Sequence, residues 1–172
     1  KGEKISKSKG NGISVEDWLT YAPPESLALF QFQKPRMAKK LYFDVIPKAV
    51  DEYLTFIEKY PDETPERQIE NPVWHIHSGN PPAPSTPISF ALLLNLVSAA
   101  NVEDKDKVWT FISRYVPDAS PESHGMLDRL VDYALRYYED FVKPAKSFRK
   151  PNDVERAAMT DFAARLRAWD GG

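Results

Sequence analysis

Two lysines and two hydroxyls alternate near the start of the 172-residue chain, in Lys4-Ile5-Ser6-Lys7-Ser8, with Lys9, Gly10 and Gly12 behind them. An ammonium group is a compact point charge with three donors and suits phosphate oxygens. Glycine admits positive φ and lets the backbone approach a ligand closely. The segment has the chemistry of a loop that closes over a triphosphate, where Lys4 and Lys7 would stabilise charge developing during phosphoryl or adenylyl transfer. It is not a P-loop, because no glycine precedes the Lys–Ser pair at Walker spacing. A basic, Ser/Gly-rich linker has the same composition, and composition alone leaves both readings open.

Two further groups invite a chemical reading. Lys34, Arg36, Lys39 and Lys40 cluster where a helix should begin, against the charge that a helix N-terminus favours. A solvated face explains them, and so do contacts to a nucleic-acid backbone. Trp74 lies in a Pro-rich stretch beside His75 and His77, where a stacked base could dock. The competing role for Trp74 is to plug that stretch onto the core. As a short strand, Val73-Trp-His-Ile-His77 would project both imidazoles from one face. Two ligands are too few for a metal, and no acid or thiol stands at motif spacing, so no metal site is expected. Trp109, Tyr115, Tyr133, Tyr137 and Phe141 recur at helical spacing and read as core.

The elements that must position these groups are nearly all helical. Ser14 with Asp17 three residues on is a capping-box start. A second helix, Glu25 to Phe32, is opened by Pro24. Apolar residues then recur near a 3.6 period from Met37 to Ile57, and Pro47 should split the run into helices at about 35–45 and 47–60. Seven prolines between 61 and 87 predict an irregular segment with no regular helix. Helices follow at about 87–100, 103–116 and 121–142, the last with Ser120 as N-cap and Pro121 in its first turn. A final helix spans about 153–169, capped by Asn152 and Glu155, with an exposed apolar face at Val154, Ala158, Phe162 and Leu166. Strands are too scarce for a sheet, so the fold class is all-α, a helical bundle.

Composition sets the outer limits. With 42% hydrophobic and 28% charged residues the chain can fold as an ordinary globular polypeptide. Its apolar runs fall short of the roughly 18–20 residues that cross a bilayer, and its basic start lacks the apolar stretch of a signal peptide. The absence of cysteine excludes a disulfide scaffold and Cys-ligated metal, and is compatible with a reducing cytoplasm. The net charge of −2 hides an asymmetry, nine Lys/Arg against five Asp/Glu in residues 1–50 and two against seven in 51–70. Nucleic-acid binding needs a local basic face rather than a basic total, so the acidic block should face away from RNA.

Lys4-Ile-Ser-Lys-Ser8 reads as the KMSKS loop of class I aminoacyl-tRNA synthetases, with Ile5 in the Met position, a volume-conserving swap. Loop, short helix, Tyr-containing turn and apolar helix is the order that such enzymes place after it. The runs Lys34-Pro-Arg-Met-Ala-Lys-Lys-Leu-Tyr-Phe-Asp-Val-Ile-Pro-Lys-Ala-Val-Asp-Glu-Tyr53 and Asn71-Pro-Val-Trp-His-Ile-His-Ser-Gly79 are more specific. With them the chain resembles the class I lysyl-tRNA synthetase family over about Lys4 to Val142. The resemblance implies a cytoplasmic ligase that activates lysine with ATP and Mg2+ and transfers it to tRNA(Lys). Lys4 and Lys7 would then stabilise the pyrophosphate leaving group, with Ser6 and Ser8 donating hydrogen bonds to ATP. Lys34, Arg36, Lys39, Lys40, Trp74, His75 and His77 would contact tRNA. It also implies two parts, residues 1–33 as the loop and tail of a catalytic domain and 34–172 as an incomplete helix-cage, anticodon-binding region. The chain reads as a C-terminal fragment, inactive alone because the other ATP motif and the lysine pocket are not in it. Two alternatives stay open: a fragment of a glutamyl-type or other class I synthetase, and a free-standing helical interaction module whose basic start is a linker.

Overall fold

A computed structural model describes residues 13–33, 35–36, 42–147 and 149–169. Among them the chain is all-α, without a strand. The helices are α1 (Val15–Tyr21), α2 (Pro24–Phe32), α3 (Val45–Lys59), α4 (Pro65–Glu70), α5 (Pro72–Ile76), α6 (Phe90–Ala100), α7 (Lys105–Tyr115), α8 (Gly125–Tyr137) and α9 (Asp153–Ala168). A 3₁₀ turn, Tyr60–Asp62, follows α3, and a π-helical turn, Tyr138–Val142, follows α8.

Local chemistry fixes the start of the fold. Ser14 Oγ accepts from the Asp17 amide at 3.1 Å while Asp17 accepts from the Ser14 amide at 2.8 Å, the reciprocal box expected of this sequence. Trp18 is fully buried, and its indole Nε1 donates to Ser26 Oγ at 3.1 Å, tying α1 to α2. Ser26 in turn donates to the Pro23 carbonyl at 2.6 Å, so both polar groups are satisfied within the core.

Packing closes into a ring. α1 neighbours α2, α2 neighbours α3, α3 neighbours α6, α6 neighbours α8, and α8 returns to α1. Trp18, Leu29, Ile46, Tyr53, Phe90, Leu93, Leu127 and Leu130 meet in one continuous core inside it. On α3 the buried residues Ile46, Ala49, Val50, Tyr53, Leu54 and Ile57 follow the helical period, giving one apolar stripe. α7 is held outside on α8, where Lys105 pairs with Asp128 at 2.9 Å and Asp132 at 2.8 Å and Trp109 Nε1 donates to Asp128 at 3.0 Å. α9 is capped by Asn152 and Glu155 as expected, and no residue of it is buried. Val154, Phe162 and Leu166 are 79%, 62% and 52% exposed, which leaves its apolar face open.

Several boundaries differ from the sequence expectation, each for a local reason. Pro47 does not break a helix. It sits in the first turn of α3, where its missing N–H has no intrahelical acceptor to satisfy. Of the helix expected at 35–45, residues 35–36 and 43–44 are turns, Val45 opens α3, and residues 37–41 lie outside those described. Part of the Pro-rich segment is helical, because Pro65 and Pro72 each occupy the opening position of a short helix. Val73–Ile76 is therefore helix rather than strand. α6 starts at Phe90, capped by Ser89, rather than at 87. Ser120 turns back on Ser123 through mutual hydroxyl and amide bonds, which delays α8 to Gly125. Tyr115 is 76% exposed and leaves the core set, whereas Trp109 at 6% belongs to it.

Candidate nucleic-acid interface

Of the residues singled out for chemistry, Lys4, Ser6, Lys7, Ser8, Lys34, Lys39 and Lys40 lie outside the described residues. Arg36 stands exposed in a turn after α2. Trp74, His75 and His77 come together at α5, but they do not share a face.

α5 is placed by Asn71, one of the few buried polar residues. Its side chain accepts from the Val73 amide at 3.0 Å and donates to Glu63 at 2.9 Å. Val73 then plugs the helix into the core with no exposed surface. Trp74 is half-buried, and the chain turns back over its ring at Gly79, whose amide donates to the Trp74 carbonyl at 2.7 Å. Gly79 has φ +87°, a conformation costly for any other residue. A Cβ there would sit 3.5 Å from three indole atoms.

The helical geometry separates the imidazoles that a strand would have aligned. His75 is exposed and stacks on Phe32 with centroids 5.4 Å apart, while Trp74 meets it edge-on at 4.9 Å. Phe32 is itself 46% exposed, so Phe32, His75 and Trp74 form an accessible aromatic patch at the end of α2. His77 points elsewhere, its Nε2 2.9 Å from the Tyr53 hydroxyl. Among the described residues no three His, Asp or Glu side chains are arranged to hold a metal ion.

The helices also enclose a feature that the sequence did not announce, a cavity of about 460 Å³ lined by Glu25 of α2, Tyr53 of α3, His77, Pro81, Pro82 and Arg129 of α8. Burial pushes the Tyr53 hydroxyl well above its usual range, the charge of Glu25 adds to this, and Arg129 opposes it. The Tyr53 phenol therefore stays neutral, a donor or acceptor rather than a base. The only sequence signal was the run Pro81-Pro82, which stiffens one wall. At the end of α1, Tyr21 donates to Asp140 at 2.8 Å and packs on Phe43, Tyr137 and Phe141. That cluster fastens the end of α8 to α1.

The chain matches the family described as tRNA synthetases class I (K) over residues 1–80. It is 50% identical over 170 residues to a lysine–tRNA ligase of Roseobacter denitrificans, covering 99% of this chain and 32% of that protein. Lysine–tRNA ligases of Rickettsia bellii and Rickettsia rickettsii are 54% and 52% identical over 168 and 167 residues, each covering 96% of this chain and 32% of the relative. No solved structure matches. The chain thus spans about a third of the length of the curated relatives it matches. Identity of this level runs across nearly every residue, so the chain is similar to about a third of a lysine–tRNA ligase, and its residues 1–80 match the class I (K) synthetases.

Proposed function

We propose that this chain is the portion of a lysine–tRNA ligase that carries the ATP-closing loop and the tRNA-gripping helices. The observation that carries the reading is 50% identity to a lysine–tRNA ligase over 99% of the chain. Residues 1–33 supply the loop and the end of the catalytic unit, and 34–172 form the tRNA(Lys)-binding, anticodon-side region. Because α1 and α2 share one core with α3, α6 and α8, this division is one of role rather than of packing.

The donor set fits the chemistry. When the lysine carboxylate attacks the α-phosphate of ATP, charge accumulates on departing pyrophosphate, and the ammonium groups of Lys4 and Lys7 neutralise it. Ser6 and Ser8 donate hydrogen bonds to the same oxygens. Mg2+ supplies further neutralisation and arrives on the triphosphate. Lys34, Arg36, Lys39 and Lys40 serve as phosphate contacts on the tRNA backbone. The aromatic patch at Trp74 and His75 offers stacking surface to unpaired bases, and His77 offers a ring nitrogen from the cavity wall. The reaction belongs to the cytoplasm, where tRNA is charged for protein synthesis.

In the full-length protein, Lys7→Ala should lower lysine-dependent ATP–pyrophosphate exchange by about 10²–10³, the range for one donor aimed at a transition state, with tRNA affinity nearly unchanged. Exchange within about threefold of the parent enzyme would remove this loop from catalysis. The 172-residue chain alone should show no exchange.

A further inference from the structure

Glu25 sits in the first turn of α2, and its Oε2 is sealed from solvent without accepting any hydrogen bond among the described residues. Such an oxygen has lost its water and gained nothing in return, which singles it out from the satisfied polar groups around it. The side chain lines the 460 Å³ cavity together with Arg129, whose residue is exposed and whose guanidinium, among the described residues, makes only a long contact, 3.5 Å, to Met126 Sδ. Glu25 of α2 and Arg129 of α8 thus bring opposite charges to one cavity, with the Tyr53 hydroxyl in the same lining. Tyr53 and His77 are locked to each other at 2.9 Å, and Pro81 and Pro82 give flat, stiff walls.

This lining discriminates between ligand classes. A phosphate would meet Glu25 and a simple cation would meet Arg129, each a repulsive contact. An apolar group would leave both charges unanswered. A planar ring with N–H donors beside ring or carbonyl acceptors satisfies both at once, and the edge of a nucleobase has that pattern. The volume suits one small ligand rather than a helix. We propose that the cavity takes one unpaired nucleobase of the bound RNA, with Glu25 accepting from an imino or amino N–H and Arg129 donating to a neighbouring acceptor. This rests on the tRNA-binding reading above and adds a specific base site to it. Glu25, Tyr53 and Arg129 belong to the ring of helices, so the site is built before RNA arrives and little ordering is needed on binding.

The test uses the ¹⁵N-labelled 1–172 chain, titrated with single-stranded trinucleotides of each base and, separately, with a lysine tRNA transcript. Amide shifts should centre on Asn80, Ala83, Ser85, Thr86 and Glu25 with at least one trinucleotide. Glu25→Gln and Arg129→Ala should each weaken that binding about tenfold, as for loss of one base-edge contact. Ala83→Trp, which fills the mouth, should abolish it. Arg129 and Ala83 are exposed, so their replacement keeps the fold, and circular dichroism confirms it. Trinucleotide affinity unchanged in the folded Glu25→Gln and Arg129→Ala chains, or shifts confined elsewhere, overturns the site. Parent-like tRNA binding by both variants overturns the site while the tRNA reading stands. If the parent chain binds no tRNA, that reading falls, and the trinucleotide shifts still decide the cavity.

Discussion

Replacing Trp74 by alanine separates support of the fold from contact with RNA, because the structure sets different magnitudes for the two. A fully buried large aromatic costs about 3–5 kcal/mol when truncated to alanine. Trp74 is half-buried, under the Gly79 turn on one side and against the edge of His75 on another. Roughly half that cost, about 2 kcal/mol, is therefore expected. α5 itself should survive, since Val73 and the Asn71 bonds anchor it independently. For a chain of this size such a loss lowers Tm by about 4–8 °C. If the ring also stacks on a base, cognate tRNA affinity should drop by about 1–3 kcal/mol in the folded protein. The assay is urea unfolding followed by circular dichroism, paired with fluorescence anisotropy of labelled lysine tRNA under conditions where the variant is folded. A stability loss of about 3–5 kcal/mol with unaltered affinity would refute the argument and make Trp74 a plug.

Two other measurements probe how the ring of helices is held. Asp51 of α3 accepts from the first amides of α6, at 2.5 Å from Phe90 and 3.1 Å from Ala91, acting as a cap supplied by another helix. Asp51→Ala should cost about 1–2 kcal/mol in urea unfolding and speed hydrogen exchange at those two amides, and unchanged exchange there would dismiss the cap. The Tyr21 hydroxyl is pushed up to about 12, first by burial and then by its hydrogen bond to Asp140 and that carboxylate's charge. A raised value means the fold prefers the protonated phenol, so this contribution is whole below pH 10 and disappears as pH climbs from 10 to about 12. Tyr21→Phe should flatten the alkaline loss of stability over that interval and remove one late phenol from the ultraviolet titration, and an identical alkaline slope would reject the assignment.

What could be read in the sequence was local. Ser14 with Asp17, and Asn152 with Glu155, declare helix starts because both partners of each box lie within one turn. The stripe on α3 is visible because burial follows the helical period along a single element. Proline was the ambiguous signal. Pro47, Pro65 and Pro72 would each break a helix interior, yet each stands in a first turn where nothing is lost. Reading the local period of Val73–His77 as a strand aligned His75 with His77, and the helix instead gave one to Phe32 and the other to Tyr53. The cavity was illegible for a different reason. Glu25, Tyr53 and Arg129 belong to three helices far apart in sequence, and only the closure of the ring brings them together.

That closure also joins the first described residues to the helices that line the cavity. Ile13, the first described residue after the Lys4–Ser8 segment, is 6% exposed and joins the common core, and Trp18 follows it one turn into α1. The Trp18–Ser26 bond passes the connection to α2. α2 carries Glu25 of the cavity at its beginning and Phe32 of the aromatic patch at its end. A single nine-residue helix thus faces both proposed base contacts while being hydrogen-bonded to the helix that succeeds the loop. α2 has little room to shift without moving its neighbours, since it packs on α3 and α5 and its Leu29 is 1% exposed. An RNA seated on Phe32 and Glu25, as proposed above, would therefore bear on α1. In this arrangement α1, α2, α3 and α5 share one packed body, which the division at residue 33 does not interrupt.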